Sequence, residues 1–121
     1  MPSNPTPDSF LPLKHDVLLI LLSLGDGALH GYGILRDLEE RSSGEIVLQT
    51  GALYRTLRRM LHDGLIEESA PPRNADGEDL RRCYYRSTRL GTAVRAAEVA
   101  RMQRLVRAAK LTDLGKRPRL A

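Results

Sequence analysis

At 121 residues with 41% hydrophobic side chains, the chain has material for one core and hence one domain. A formal net charge of +4 suggests a polyanionic partner. The charge is uneven, however: residues 1–85 hold nine Lys/Arg against thirteen Asp/Glu, and residues 86–121 hold ten against two, so the basicity belongs to the C-terminal third. The single cysteine, Cys83, excludes an internal disulfide and fits a reducing cytoplasm. Val17 to Leu22, the longest apolar run, is far below the roughly 18 to 20 residues that cross a bilayer, so neither a membrane span nor a signal peptide is expected.

Residues 1–10, with three prolines and no apolar period, read as a flexible arm without assigned structure. Pro12 suits the first turn of a helix that runs through VLLILLSL to Gly25-Asp26-Gly27. That helix is apolar all round. One side should cover the core while Leu18, Leu21 and Leu22 meet a second copy of the chain. A second helix opens near Gly31, with Tyr32, Leu35, Leu38 and Ile34 facing inward and an acidic outer side of Asp37, Glu39 and Glu40 beside Arg41. Ser42-Ser43-Gly44 closes it, and Glu45 to Leu48 form a short extended link.

The third helix starts at Gln49 or Thr50. Leu53, Leu57, Met60 and Leu61 form one apolar stripe and Gly64 supplies the stop. At about 100° per residue the opposite side gathers Gly51, Ala52, Arg55, Arg58, Arg59 and His62. Two short strands follow, Leu65 to Glu68 and Cys83 to Arg86, as a hairpin whose long polar tip contains Arg73 and Asn74 and ends on Arg81 and Arg82. Cys83 then takes a half-buried strand position, a redox-active thiol being the alternative. Thr88 is a good N-cap for a last helix, with Leu90, Val94 and Ala97 on one stripe. Val99, Met102, Leu105, Val106 and Ala109 lie on a rotated stripe that would seek another subunit.

The expected fold is mainly α with a small β-hairpin: a winged helix-turn-helix over residues 11–87, a long C-terminal dimerisation helix over 88–112, and a basic tail over 113–121. Two helices on a short link, the second with a basic outer face and followed by a hairpin, match what major-groove reading requires. Arg55, nearest the helix start, suits a bidentate base contact, and Arg58 and Arg59 suit phosphates. Amides around Gln49, Thr50 and Gly51 offer the positive end of the helix dipole to a phosphate, although glycine is also simply tolerated in a first turn. Tyr54 can pack its ring inward while its hydroxyl reaches a phosphate, a partly buried ring with no ligand role being the alternative. A basic face alone is equally a solvated one. The wing residues Arg73, Asn74, Arg81 and Arg82 turn the reading toward double-stranded DNA.

His15, His30 and His62 lack partners at metal-ligand spacing, and no phosphate loop, nucleophile elbow or paired carboxylates in a cleft appear. No metal, cofactor or enzymatic activity is expected, and no residue pattern identifies a small-molecule inducer. A winged-helix module that binds only protein is the rival reading, supported by the acidic second helix.

Three blocks in order resemble the PadR family of bacterial transcriptional regulators: Leu29 to Glu40, Gly51 to Glu68, and Arg81 to Gly91. The resemblance spans about residues 13 to 111, in the smaller branch with a single C-terminal helix. It implies a homodimer built by the first and last helices, and repression through a palindromic operator. It places the family's Gly-Tyr pair at Gly31 and Tyr32, its recognition-helix tyrosine at Tyr54, its Gly-Leu step into the wing at Gly64 and Leu65, and its strand tyrosine at Tyr85. Gln49 and Ala52 replace small hydroxyl residues common in the family, and Arg55 stands where proline is common. With no tryptophan and one phenylalanine, the chain lacks the aromatic pair between which some relatives stack flat ligands.

Overall fold

The computed structural model describes residues 5–115. Four helices, α1 (His15–Ser23), α2 (Gly31–Arg41), α3 (Thr50–His62) and α4 (Arg89–Gly115), surround a small antiparallel sheet of β1 (Leu29–His30), β2 (Ile66–Ser69) and β3 (Tyr84–Ser87) in the order β1-β3-β2. The register sets Leu29 opposite Tyr85 and His30 opposite Tyr84, while Ile66 faces Ser87 and Glu68 faces Tyr85. The β2–β3 hairpin with its long tip is the wing, and β1 ties the start of α2 to its inner strand. Among the described residues no helix is long and apolar enough to cross a membrane.

Ile20, Leu21, Ile34, Leu38, Leu53, Leu57, Met60 and Val94 are fully buried, and Leu65, Ile66 and Tyr85 close the cluster from the sheet. Each such aliphatic side chain contributes about 1.5–3 kcal/mol. The buried stripe of α3 therefore fixes which of its faces looks outward.

Both junctions of the reading unit are locked by local chemistry. At the end of α3, Gly64 adopts φ +78°, its N–H donates to the Leu61 carbonyl, and the Leu65 N–H reaches the Met60 carbonyl. This is the paired-bond ending that a left-handed residue permits, with Met60 and Leu65 in apolar register. At the start of α4, the Thr88 hydroxyl oxygen accepts from the Gly91 N–H at 3.0 Å, as expected of an N-cap. The Leu65 carbonyl meanwhile accepts the Thr88 N–H at 3.1 Å. A side chain at residue 91 would strike that same carbonyl, so glycine is required for α4 to lie against the α3–β2 turn.

Several expectations are corrected. Part of the arm is ordered: Pro7–Phe10 form a 3-10 turn, and Phe10, Leu11 and Leu13 pack on the core. Residues 1–4 lie outside the described residues, as does the basic tail from residue 116 onward, while α4 itself runs to Gly115. Pro12 precedes α1 rather than opening it, because Lys14 is extended (ψ 148°) and the Leu13 N–H donates to Glu98 of α4. Leu21 is 0% and Leu18 6% exposed, so the monomer already covers both and only Leu22 of that set keeps partial exposure. Tyr32 is not inward but 54% exposed, since Gly31, Ile34 and Leu38 set the buried stripe and Tyr32 falls about 160° round from Ile34. Cys83 is exposed, because β3 begins only at Tyr84 and the chain has left the sheet one residue earlier.

Candidate nucleic-acid interface

The α3 face develops as its periodicity requires. Arg55, Arg58 and Arg59 are all exposed and, with His62 and Asp63, line one shallow depression. Arg59 lies 3.7 Å from Asp63, a loose exposed pair, whereas Arg55 and Arg58 have no carboxylate partner among the described residues. Gln49 occupies the N-cap with extended backbone but makes no side-chain cap bond, so the amides of the first turn, at Thr50 and Gly51, keep their capacity for an outside acceptor. A Cβ on Gly51 would come within 3.6 Å of the Arg55 guanidinium. Arg55 thus folds back over the helix start, where it adds a full charge to the partial charge of the dipole.

Tyr54 is partly exposed, and its hydroxyl abuts Gly31 so closely that any side chain at 31 would collide with it. The ring thereby gauges the approach of α3 to the start of α2. A second tie holds α3 to α1, where the Thr56 hydroxyl donates to Asp16 at 3.0 Å. The turn between α2 and α3 begins with Ser43 at φ 56°, where the Gly44 N–H reaches the Glu39 carbonyl at 2.7 Å.

In the wing, Arg73, Asn74 and Arg81 are exposed, the last within a 3-10 turn at Gly77–Arg81 that the sequence did not announce. Arg82 is engaged elsewhere. Its Nε donates to Asp79 at 3.1 Å and its guanidinium lies 5.9 Å from the Tyr32 ring centre, with Arg36 at 5.8 Å on the same ring. Arg86 pairs with Glu67 across the strands at 2.7 Å. His30 completes the cluster: its Nδ1 accepts the Gly33 N–H at 3.0 Å as the cap of α2, and its ring meets Tyr84 edge-on at 5.3 Å. Burial, then the charge of Arg82, hold this imidazole below its ordinary value, with Asp79 acting the other way.

On α4, Met102, Leu105, Val106 and Ala109 are exposed and Val99 is half-buried. The same helix also hides a residue that hydropathy patterning cannot flag. Glu98 is 2% exposed, its oxygens taking the Leu13 N–H at 2.9 Å and the guanidinium of Arg101. The Arg101 hydrogen bond outweighs burial and holds the carboxyl below its usual range.

A two-helix unit carrying its polar face on the second helix, backed by a first helix and followed by a β-wing, defines a winged helix-turn-helix protein. The model of the PadR-like transcriptional regulator family matches residues 20–97, and the chain belongs to that family. A search of curated proteins finds no match. Among solved structures the chain is similar to a transcriptional regulator from Clostridium thermocellum, at 22% identity over 83% of this chain and 97% of that one, with a TM-score of 0.65. It is also similar to a PadR family transcription regulator from Clostridium difficile, at 23% identity over 84% and 100% of the two chains, with a TM-score of 0.63. Bacillus subtilis PadR, solved in complex with operator DNA, is 18% identical over 87% of this chain and 61% of its own, with a TM-score of 0.57. At these identities the likenesses establish the fold.

Proposed function

We propose that this regulator acts as a repressor, binding a palindromic DNA operator as a homodimer. The observation that carries the reading is the joint exposure of Arg55, Arg58 and Arg59 on the one face of α3 that packing leaves open. Each copy would set α3 into a major groove, the two sites about 10 bp apart or a multiple of that. Arg55 reads a base, Arg58 and Arg59 hold phosphates with the amides of Thr50 and Gly51, and Arg73, Asn74 and Arg81 of the wing reach the flanking backbone. Arg82, turned onto Tyr32 and Asp79, shapes the wing more than it extends it. That Bacillus subtilis PadR has been solved with operator DNA supports the assignment of partner.

The homodimer is supported by α4, where Met102, Leu105, Val106 and Ala109 recur at helical spacing on an exposed side, an apolar strip that water disfavours and a second copy would cover. Val99 and Leu22, both half-buried, border it in this reading.

Fluorescence anisotropy on duplexes from the DNA upstream of the protein's own gene, over a salt series, tests the proposal. Tight binding to one duplex and weak binding to its scrambled version is expected. Absence of any sequence dependence at every salt concentration would favour the protein-binding module instead, a reading for which the exposed Glu39 and Glu40 on α2 speak.

A further inference from the structure

We propose that Lys14, placed by the buried carboxylate of Glu98, is an additional DNA-phosphate contact that extends the α3 interface onto the foot of α1. The inference rests on α3 being the DNA-facing helix and adds a residue that neither helix-turn-helix geometry nor the wing supplies.

The segment before α1 is held at three levels. Its turn at Pro7–Phe10 lies along α4, the side chains of Phe10, Leu11 and Leu13 pack on the core, and the Leu13 N–H is bound by Glu98 at 2.9 Å. Glu98 is itself immobilised, since Arg101 donates to both of its oxygens. The residue after Leu13 is therefore not free to wander. Lys14 is the N-cap residue of α1, is exposed, and makes no ion pair among the described residues.

Where it is held matters. Lys14 lines a groove of about 340 Å³ together with Arg55, Thr56 and Arg59 of α3, so three cations from two elements border one concavity. Two carboxylates, Asp16 and Asp63, also border it. Asp16 is occupied by neutral donors, the Thr56 hydroxyl at 3.0 Å and the Val17 N–H at 2.8 Å, and Asp63 faces Arg59 at the far end of α3. Lys14 and Arg55 make no ion pair among the described residues, and three cations against two carboxylates leave the groove a formal surplus of one positive charge. A compact ammonium on a four-carbon stem is a point-charge ligand for phosphate and carries no base preference. The groove would thus take the sugar-phosphate strand next to the base that Arg55 reads, and its geometry would depend on α4 through Glu98.

The test compares the wild-type chain with Lys14→Gln on a duplex from its own upstream DNA and on a scrambled duplex, from low to moderate salt. Loss of about one unit per protomer in the slope of log K against log salt is expected on both duplexes, with their affinity ratio unchanged. Glu98→Ala, checked by circular dichroism, should lose the same slope although it touches no DNA, and the double variant should lose no more than either single one. A wild-type slope in Lys14→Gln overturns the contact whatever becomes of Glu98→Ala. A folded Glu98→Ala with the wild-type slope overturns the positioning. A wild-type chain that binds neither duplex at low salt removes the α3 reading, a failure visible before any variant is made.

Discussion

Gly91→Ala and Gly33→Ala are the same substitution within the first turn of a helix, and the structure assigns them opposite signs. Alanine replacing glycine in a helix ordinarily gains about 0.5–1 kcal/mol. At Gly33 the new methyl would meet Leu29 at 3.5 Å and His30 at 3.6 Å, ordinary contacts, so the gain should appear. At Gly91 it would strike the Leu65 carbonyl and come within 2.8 Å of the Ser87 hydroxyl oxygen. Backbone cannot step aside as a side chain can, so α4 must lift from the turn. Lifting it weakens the Thr88 cap, worth about 1 kcal/mol, together with the Thr88 N–H bond to the Leu65 carbonyl and the bond its hydroxyl donates to the Gly64 carbonyl at 2.6 Å, worth about 1 kcal/mol each. Set against the propensity gain, the net cost is about 2 kcal/mol, or a fall in Tm of roughly 10 °C. Urea unfolding followed by circular dichroism measures both variants. A Gly91→Ala protein as stable as the wild type would show that the Leu65 carbonyl is not the constraint described here.

The imidazole of His30 is held below 6.5 and accepts a bond as the α2 cap, so the unfolded chain takes up a proton before the folded one does. Stability should then be full above about pH 6.5 and decline as pH falls toward the folded-state value, flattening beneath it, and His30→Asn should remove that part of the slope in urea midpoints; an unaltered slope would refute the assignment. Ser43→Gly, at φ 56°, should raise stability by about 1 kcal/mol, seen as a higher urea midpoint at constant m. Arg55→Ala should cost about 1–3 kcal/mol of operator affinity and relax selection at one position per half-site, which competition among single-base variants of the operator would reveal. Uniform weakening would make Arg55 a backbone contact. Leu105→Glu, on the exposed strip of α4, should convert a dimer to a folded monomer in sedimentation velocity while leaving the monomer core intact.

What could be read in advance were the features written in short-range chemistry. The α3 face follows from Leu53, Leu57 and Met60 at helical spacing, its end from Gly64, and the start of α4 from the hydroxyl of Thr88. What escaped depends on partners distant in the chain. Leu29–His30 is a strand only because Tyr84 and Tyr85 arrive beside it, and two residues carry no alternation to detect. The start of α1 is decided by Glu98, a charged residue buried where periodicity alone would place an apolar one. Tyr32 and Arg82 show the same limit at the surface. Residue type alone turns a tyrosine in an apolar-looking turn inward and an arginine beside a wing toward phosphate, but the two pack on one another, and the cluster is visible only once α2 and the wing are brought together.

The Leu65 carbonyl leaves no spare residue between the end of α3, the root of the wing and the first turn of α4. Adding a residue to the wing tip between Ser69 and Tyr84 would lengthen a loop that ends in water. Adding one within the first turn of α4, after the Thr88 cap, would swing the rest of the helix by about 100° and carry Met102, Leu105 and Val106 to a different side. Length changes among homologous chains should accordingly gather in the tip, with the segments around 63–65 and 87–91 kept at constant length as the hinge-pin of the molecule.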